Sequence, residues 1–171
     1  MVYRVYSSKK SPFAMEDLSM LSDLKGALGL KGLTNVKIFN RYDVEGITEK
    51  DALSVMNVFS EPQVDEHFDK LPLHDGKAFA IEYLPGQYDQ RADSCAQCIE
   101  CVLRIERPTV KTAKVIYLFG DINEDELKKI KGYLINPVES CEASFDLPQT
   151  LKMKTVEAPM PETLEGFISL D

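Results

Sequence analysis

Three cysteines, Cys95, Cys98 and Cys101, stand at C-x2-C-x2-C spacing within YLPGQYDQRADSCAQCIEC, Tyr83 to Cys101. Thiolates at such spacing hold an iron–sulfur cluster when a loop wraps the metal and a fourth thiolate completes the set. Here the run falls inside a helical pattern. At about 100° per residue, the three thiols lie within an arc of about 120° on one helix face. Buried free cysteine behaves as a small hydrophobe. The three are therefore expected to wall a core, and Cys141, in the last strand, reads the same way. No metal site is expected.

The two histidines are His67, on a strand, and His74, in a loop. Neither has metal-ligand spacing to a cysteine, and both read as ordinary polar positions. A cysteine nucleophile needs an activated thiolate, and no cysteine sits in a Gly-x-Cys-x-Gly elbow. Neither a G-x-x-x-x-G-K-[ST] loop nor a G-x-G-x-x-G turn occurs. Asp43 and Glu45 are two residues apart in RYDVEGI. On a strand they could share a face and hold a cation; before a helix cap they read as solvated loop carboxylates. Asp89, Arg91 and Asp93 open a helix, where dipole and charge pairing account for them. No catalytic or cofactor-binding residue is expected in this segment.

The 171 residues are 44% hydrophobic and 28% charged, with a formal net charge of -8. That balance describes a soluble globular chain able to bury a core. No block of lysine and arginine exists, which argues against a nucleic-acid or anionic-membrane partner. The N-terminus MVYRVYSSKK lacks the apolar centre of a signal peptide, and no apolar run is long enough to span a bilayer. Free cysteines on one helix suit a reducing, cytoplasmic home.

Element signals recur in order. Val2–Tyr6 reads as a strand, and Ser11-Pro12 starts a helix with Leu18, Leu21, Leu24 and Leu28 at helical spacing. A second strand runs from Val36 towards Tyr42. Thr48 caps a second helix with Ala52, Val55, Val58 and Phe59 on one face, and Gln63–Phe68 forms a short strand. From Lys77 the order restarts: a strand at Phe79–Tyr83, a helix from about Asp89 to Arg107, and a strand at Lys114–Leu118. A helix capped by Asn123 with Leu127, Ile130 and Leu134 follows, then a last strand at Val138–Phe145. Ile47, Thr48, Ala52, Val55, Phe59 and Pro62 match Ile122, Asn123, Leu127, Ile130, Leu134 and Pro137 at one constant offset. Leu18, Leu21, Leu24 and Leu28 match Cys95, Cys98, Cys101 and Ile105 at an offset two residues longer.

Two ordered helices with matching caps and terminating prolines indicate duplication. The expected class is α+β, with two tandem β-α-β-α-β, ferredoxin-like repeats at about 1–70 and 77–146. A sheet with helices on one face leaves its other face open, and a second copy can cover it. A pseudo-twofold pair resembling an intramolecular dimer is expected, followed by a linker over 147–171. The chain stops at GFISLD shortly after an apolar segment begins, which suggests a cut from a longer protein, with a natural short tail as the alternative.

RYDVEGI (Arg41–Ile47), FSEPQVD (Phe59–Asp65) and above all LPGQYDQRADSCAQCI (Leu84–Ile99) resemble the N-terminal region of phosphoribosylformylglycinamidine synthase in its large single-chain form. The closing LEGFISLD resembles the start of that family's linker, so the likeness covers essentially the whole chain. The resemblance implies a parent ligase of purine biosynthesis that uses ATP, Mg and glutamine. It implies an N-terminal domain similar to a dimer of the family's small separate subunit, with synthetase and glutaminase domains as partners. The family's catalytic residues lie beyond Asp171, so none carries over. In one branch of the family the turn matching Pro85–Ala92 is serine-rich with a lysine; here it reads Gln87-Tyr88-Asp89-Gln90-Arg91, so that branch's contacts do not transfer.

Polar turn residues at strand ends are free to meet a neighbour. Tyr42, Asp43 and Glu45, with Pro85, Gly86, Gln87, Asp89 and Arg91, are thus the expected domain-interface residues. A module that binds a small molecule between its two copies is the alternative reading.

Overall fold

The computed structural model describes residues 1–72 and 75–152. It is α+β. Six strands form one antiparallel sheet: β1 (Val2–Lys9), β2 (Leu33–Glu45), β3 (Asp65–Phe68), β4 (Lys77–Tyr83), β5 (Thr109–Gly120) and β6 (Ser140–Ala143). The helices are α1 (Met15–Leu28), α2 (Glu49–Ser54), α3 (Met56–Phe59), α4 (Gln90–Leu103) and α5 (Glu124–Leu134). The expected second helix is thus two pieces, broken at Val55. The expected linker beyond Lys152 lies outside the described residues, as does His74.

Strand order across the sheet is β3-β1-β2-β5-β4-β6. The first three strands of the chain fill one half of the sheet, the last three the other. The halves meet edge to edge where β2 pairs with β5, from Leu33 opposite Gly120 to Glu45 opposite Thr109. This corrects the expected stacking of one copy on the open face of the other. Backbone pairing of the two longest strands joins the halves, and β2 reaches Glu45 rather than ending near Tyr42. Gly120, at φ 115°, lies so close to Gly32 that a Cβ there would sit 2.1 Å from the Gly32 carbonyl oxygen.

Side chains alternate across the sheet. Val36, Ile38, Tyr42 and Val44 of β2 face the helices. There they form two apolar clusters. Leu24 of α1 and Ile130 of α5 share one with Ile38, Phe79 and Ile116. Phe59 of α3 and Ile99 of α4 share the other with Val5, Tyr42 and Val44. Each cluster draws on both halves of the chain. The opposite face carries Tyr6, Phe39, Val115 and Tyr117, all buried, with Phe39 edge-on to Phe68 and Tyr117 at 5.9 and 5.8 Å between ring centres. Tyr117 donates to the Pro72 carbonyl oxygen at 3.1 Å.

Helix α1 departs from the expected leucine stripe. Leu24 is fully buried, but Leu18 is 56% exposed, and Asp17 fills the buried position of the first turn. The reason lies in the sheet. β1 pairs with β2 only as far as Ser7 opposite Asn40, leaving the Ile38 amide without a strand partner on that side. That amide donates to Asp17 Oδ1 at 3.2 Å, and Lys37 Nζ lies 3.5 Å from Oδ2. A buried amide left unpaired would cost about 1–3 kcal/mol; an aspartate in the helix removes that penalty.

Burial holds the Asp17 carboxyl above its ordinary value of 3.8, and Lys37 offsets only part of the effect. A raised carboxyl binds its proton more tightly in the folded chain, so ionising it opposes folding. The stability of the wild type relative to Asp17→Asn, which keeps an acceptor for Ile38, is expected to fall as pH rises from 3.8 through the folded value. Urea denaturation of both proteins at several pH values measures that difference; a pH-independent gap would contradict it.

Candidate functional site

The Leu84–Ala92 stretch links β4 to α4. The Gln87 amide donates to the Leu84 carbonyl at 3.0 Å, and Gly86 takes φ 92°. Proline followed by a left-handed glycine is the arrangement of a type II turn. The turn is tied to the corner before β6: the Leu84 amide donates to the Glu139 carbonyl at 2.9 Å, and Gln87 Nε2 to the Val138 carbonyl at 3.1 Å. Asp89 then caps α4, accepting from the Ala92 amide at 2.9 Å. Its other oxygen accepts from the Thr112 amide at 3.2 Å and hydroxyl at 2.7 Å, fastening the helix start to β5. Tyr88 at the turn's end is 70% exposed.

The two expected interface segments fare differently. Pro85, Gly86 and Gln87 form an exposed turn, and Arg91 donates to the Tyr42 hydroxyl at 3.1 Å. Tyr42 and Asp43, however, are strand residues only 5% and 1% exposed, so their side chains are not available to a neighbour. The strand runs on to Glu45 because the long pairing with β5 continues through them.

Asp43 does hold a cation, though from within the protein. On the helix-free face, Arg4 of β1 grips Asp43 of β2 with two bonds, Nε to Oδ1 at 2.5 Å and Nη2 to Oδ2 at 2.8 Å. Arg41 Nε lies 3.4 Å from Asp43 Oδ2, and its Nη2 donates to Glu82 Oε2 of β4 at 3.2 Å. Lys111 of β5 completes the row, donating to Glu82 Oε1 at 2.6 Å. Five charges thus alternate in sign across four strands. The same guanidiniums bind the chain leaving β6: Arg41 donates to the Ser144 carbonyl at 2.7 Å, and Arg4 to those of Phe145 and Asp146 at 2.6 and 3.1 Å. Glu45 accepts from the Leu151 amide at 2.7 Å and from the Thr150 hydroxyl. A cleft of about 430 Å³ lies between this chain and the Pro85–Gln87 turn.

Burial depresses the Arg41 pKa, with Asp43 and Glu82 working against it. For Arg4, burial also acts downwards, yet the bond and charge of Asp43 hold it above its ordinary value. Such a row fixes strands and strap in place. It holds charges already neutralised by each other, which suits structure better than proton transfer.

The cysteines correct the expected core wall. Cys95 is buried, and burial pushes its thiol up to about 12, so it is no nucleophile at neutral pH. Cys98 and Cys101 are exposed. The buried stripe of α4 is Ala92, Cys95, Ala96 and Ile99, and each further step of three residues turns about 60° away from it. Among the described residues no group of three His, Cys, Asp or Glu side chains could hold a metal ion. His67 is exposed on β3. No helix among them is long and apolar enough to cross a membrane.

No family model and no curated protein matches this chain. Its functional reading therefore rests on motifs and geometry.

Sequence reasoning missed the charged row. Arg4, Asp43 and Glu82 each stand between apolar neighbours, which is a strand signal, but the meeting of all five charges depends on β2 lying beside β5. Removing Asp43 leaves Arg4 and Arg41 buried against each other. Asp43→Ala is expected to lose about 3–5 kcal/mol in urea denaturation; a loss under about 1 kcal/mol would show the row to be dispensable.

Hydrogen bonding from Leu151 and Thr150 holds the Glu45 carboxyl below its ordinary 4.5. The contact it makes is complete above 4.5 and lost as pH falls through the lower, folded value. The Leu151 amide resonance is expected to shift along that titration in the wild type and to stay still in Glu45→Gln.

Proposed function

We propose that this chain is the non-catalytic N-terminal assembly domain of a phosphoribosylformylglycinamidine synthase, with the beginning of its linker. The observation that carries the reading is the order of elements around the β2–β5 joint. Outward from it, the first half gives β2, β1, β3 and the second gives β5, β4, β6. Each half runs β-α-β-α-β, with the second helix of the first half in two pieces. Matching helices open with the same device: Thr48 with Asp51, and Asn123 with Glu126, each form a reciprocal capping box. Two ferredoxin-like copies related by a pseudo-twofold axis, fused into one sheet, account for this pattern. The duplication agrees with the resemblance to a dimer of the small separate subunit, although the copies join edge to edge rather than by the expected stacking.

In this reading the domain docks the glutaminase against the synthetase, so that ammonia passes between them without meeting water. ATP, Mg and the reacting groups belong to the rest of the parent chain. The docking edge is the Pro85–Tyr88 turn, which Asp89 and Gln87 hold rigid while Tyr88 stays exposed. A rigid turn loses little freedom on contact, and an exposed tyrosine is a favoured anchor at interfaces.

The test uses the full-length synthase. Removing residues 1–145 is expected to uncouple the enzyme, so that less amidine forms per glutamine hydrolysed. Tyr88→Ala in the intact protein is expected to lower the same ratio several-fold with the domain still folded. Coupling unchanged in both proteins would sink the proposal.

A further inference from the structure

The helices stand over the sheet in two groups, and between them runs a groove. α1 packs beside α5 and α3 beside α4, so each group joins the two halves. The apolar clusters beneath them are likewise separate. Midway along the long strands, the helix-facing positions become polar: Asn40 on β2, opposite Lys114 on β5, and Thr112 one pleat further along. Burying such groups without partners is unfavourable, so apolar side chains would make the better core here. Instead these residues floor a groove of about 720 Å³, with Met20 and Leu134 on one wall and Arg91 and Ser94 on the other. That volume lies in the range of small-molecule sites.

Two cations, Lys114 and Arg91, line the groove with three acidic residues, Glu82, Asp89 and Glu139, of which Glu82 is held by Arg41 and Lys111. Lys114 is paired with Glu16. Arg91 differs: the Tyr42 hydroxyl accepts one of its N–H bonds and orients it, yet among the described residues it forms no ion pair. The nearby Asp89 carboxylate is already bound on both oxygens by α4 and Thr112. An oriented guanidinium with donors to spare matches a carboxylate or phosphate, which it can grip with two parallel bonds. The Asn40 amide and Ser94 hydroxyl offer further polar contacts along the ligand.

We propose that the groove between the two helix groups binds a small polar molecule bearing an oxyanion, anchored by Arg91. Tyr42 is its positioning residue. The site lies beside the docking edge and shares Asp89 with it, but draws on no chemistry of a parent enzyme.

The 171-residue chain is titrated separately with inorganic phosphate, succinate and adenosine monophosphate, following the Arg91 Nε–Hε and Ser94 amide resonances. The phosphate and succinate arms separate the two oxyanions, and the nucleotide tests occupancy of the full groove. Saturable shifts are expected with at least one probe below about 10 mM. Arg91→Gln is expected to weaken that binding at least tenfold, and Tyr42→Phe several-fold. Lys128→Gln, at an exposed position of α5, is expected to change nothing. If Arg91→Gln does not fold, Arg91→Lys is read in its place; it keeps the charge, loses the fork, and is expected to bind several-fold more weakly. No saturation with any probe, or equal affinity in the wild type and the Arg91 variant, overturns the proposal.

Discussion

Pairing of β2 with β5 is the constraint on which everything else in this protein depends. Both strands are about twice the usual length. Their ladder makes one sheet from two sets of three strands. It also decides which helices meet, because α1 finds α5, and α3 finds α4, only across this joint. The apolar clusters inherit the same dependence. Leu24 and Ile38 from the first half need Phe79 and Ile130 from the second, and Val5 and Phe59 need Cys95 and Ile99. Neither half owns a complete core, so unfolding should be cooperative across the whole sheet rather than stepwise by halves.

The helix-free face solves a different problem. An antiparallel sheet with helices on one side often leaves the other to water. Here that face is aromatic at one end and charged at the other. Arg4, Asp43, Arg41, Glu82 and Lys111 neutralise one another in sequence, and their spare donors fix the carbonyls of Ser144 to Asp146. A buried ion pair gains little over an apolar one in stability. What this row adds is direction: a chain leaving β6 is led across β2 and β1 and held at Glu45.

Much of this was legible in the sequence. Caps at Thr48 and Asn123 and the alternating strands follow from local chemistry, and each of the six strands contains or overlaps the stretch its pattern predicts, although β5 runs well beyond Lys114–Leu118 at its start. What could not be read depended on neighbours distant in the chain. Leu18 fits a helical stripe as well as Asp17 does; only the unpaired Ile38 amide makes the aspartate the buried one. Cys98 and Cys101 lie close enough to the Cys95 face to pass as core, but the buried stripe runs through Ala92, Cys95, Ala96 and Ile99 and leaves them turned outward. Tyr42 and Asp43 look like turn residues until β5 extends the strand past them. The edge-to-edge joint itself left no local mark, and the extra length of both strands appears only where they pair.

The sheet finishes on both sides in strands of only four residues, Asp65–Phe68 and Ser140–Ala143. Each carries charge, with Asp65 engaged by Lys9 and Glu142 by Lys131. A long bare margin would template another chain and grow into aggregates. These brief, charged margins offer too few unpaired amides for that, so the protein can keep two long aromatic-rich strands because both are confined to its centre.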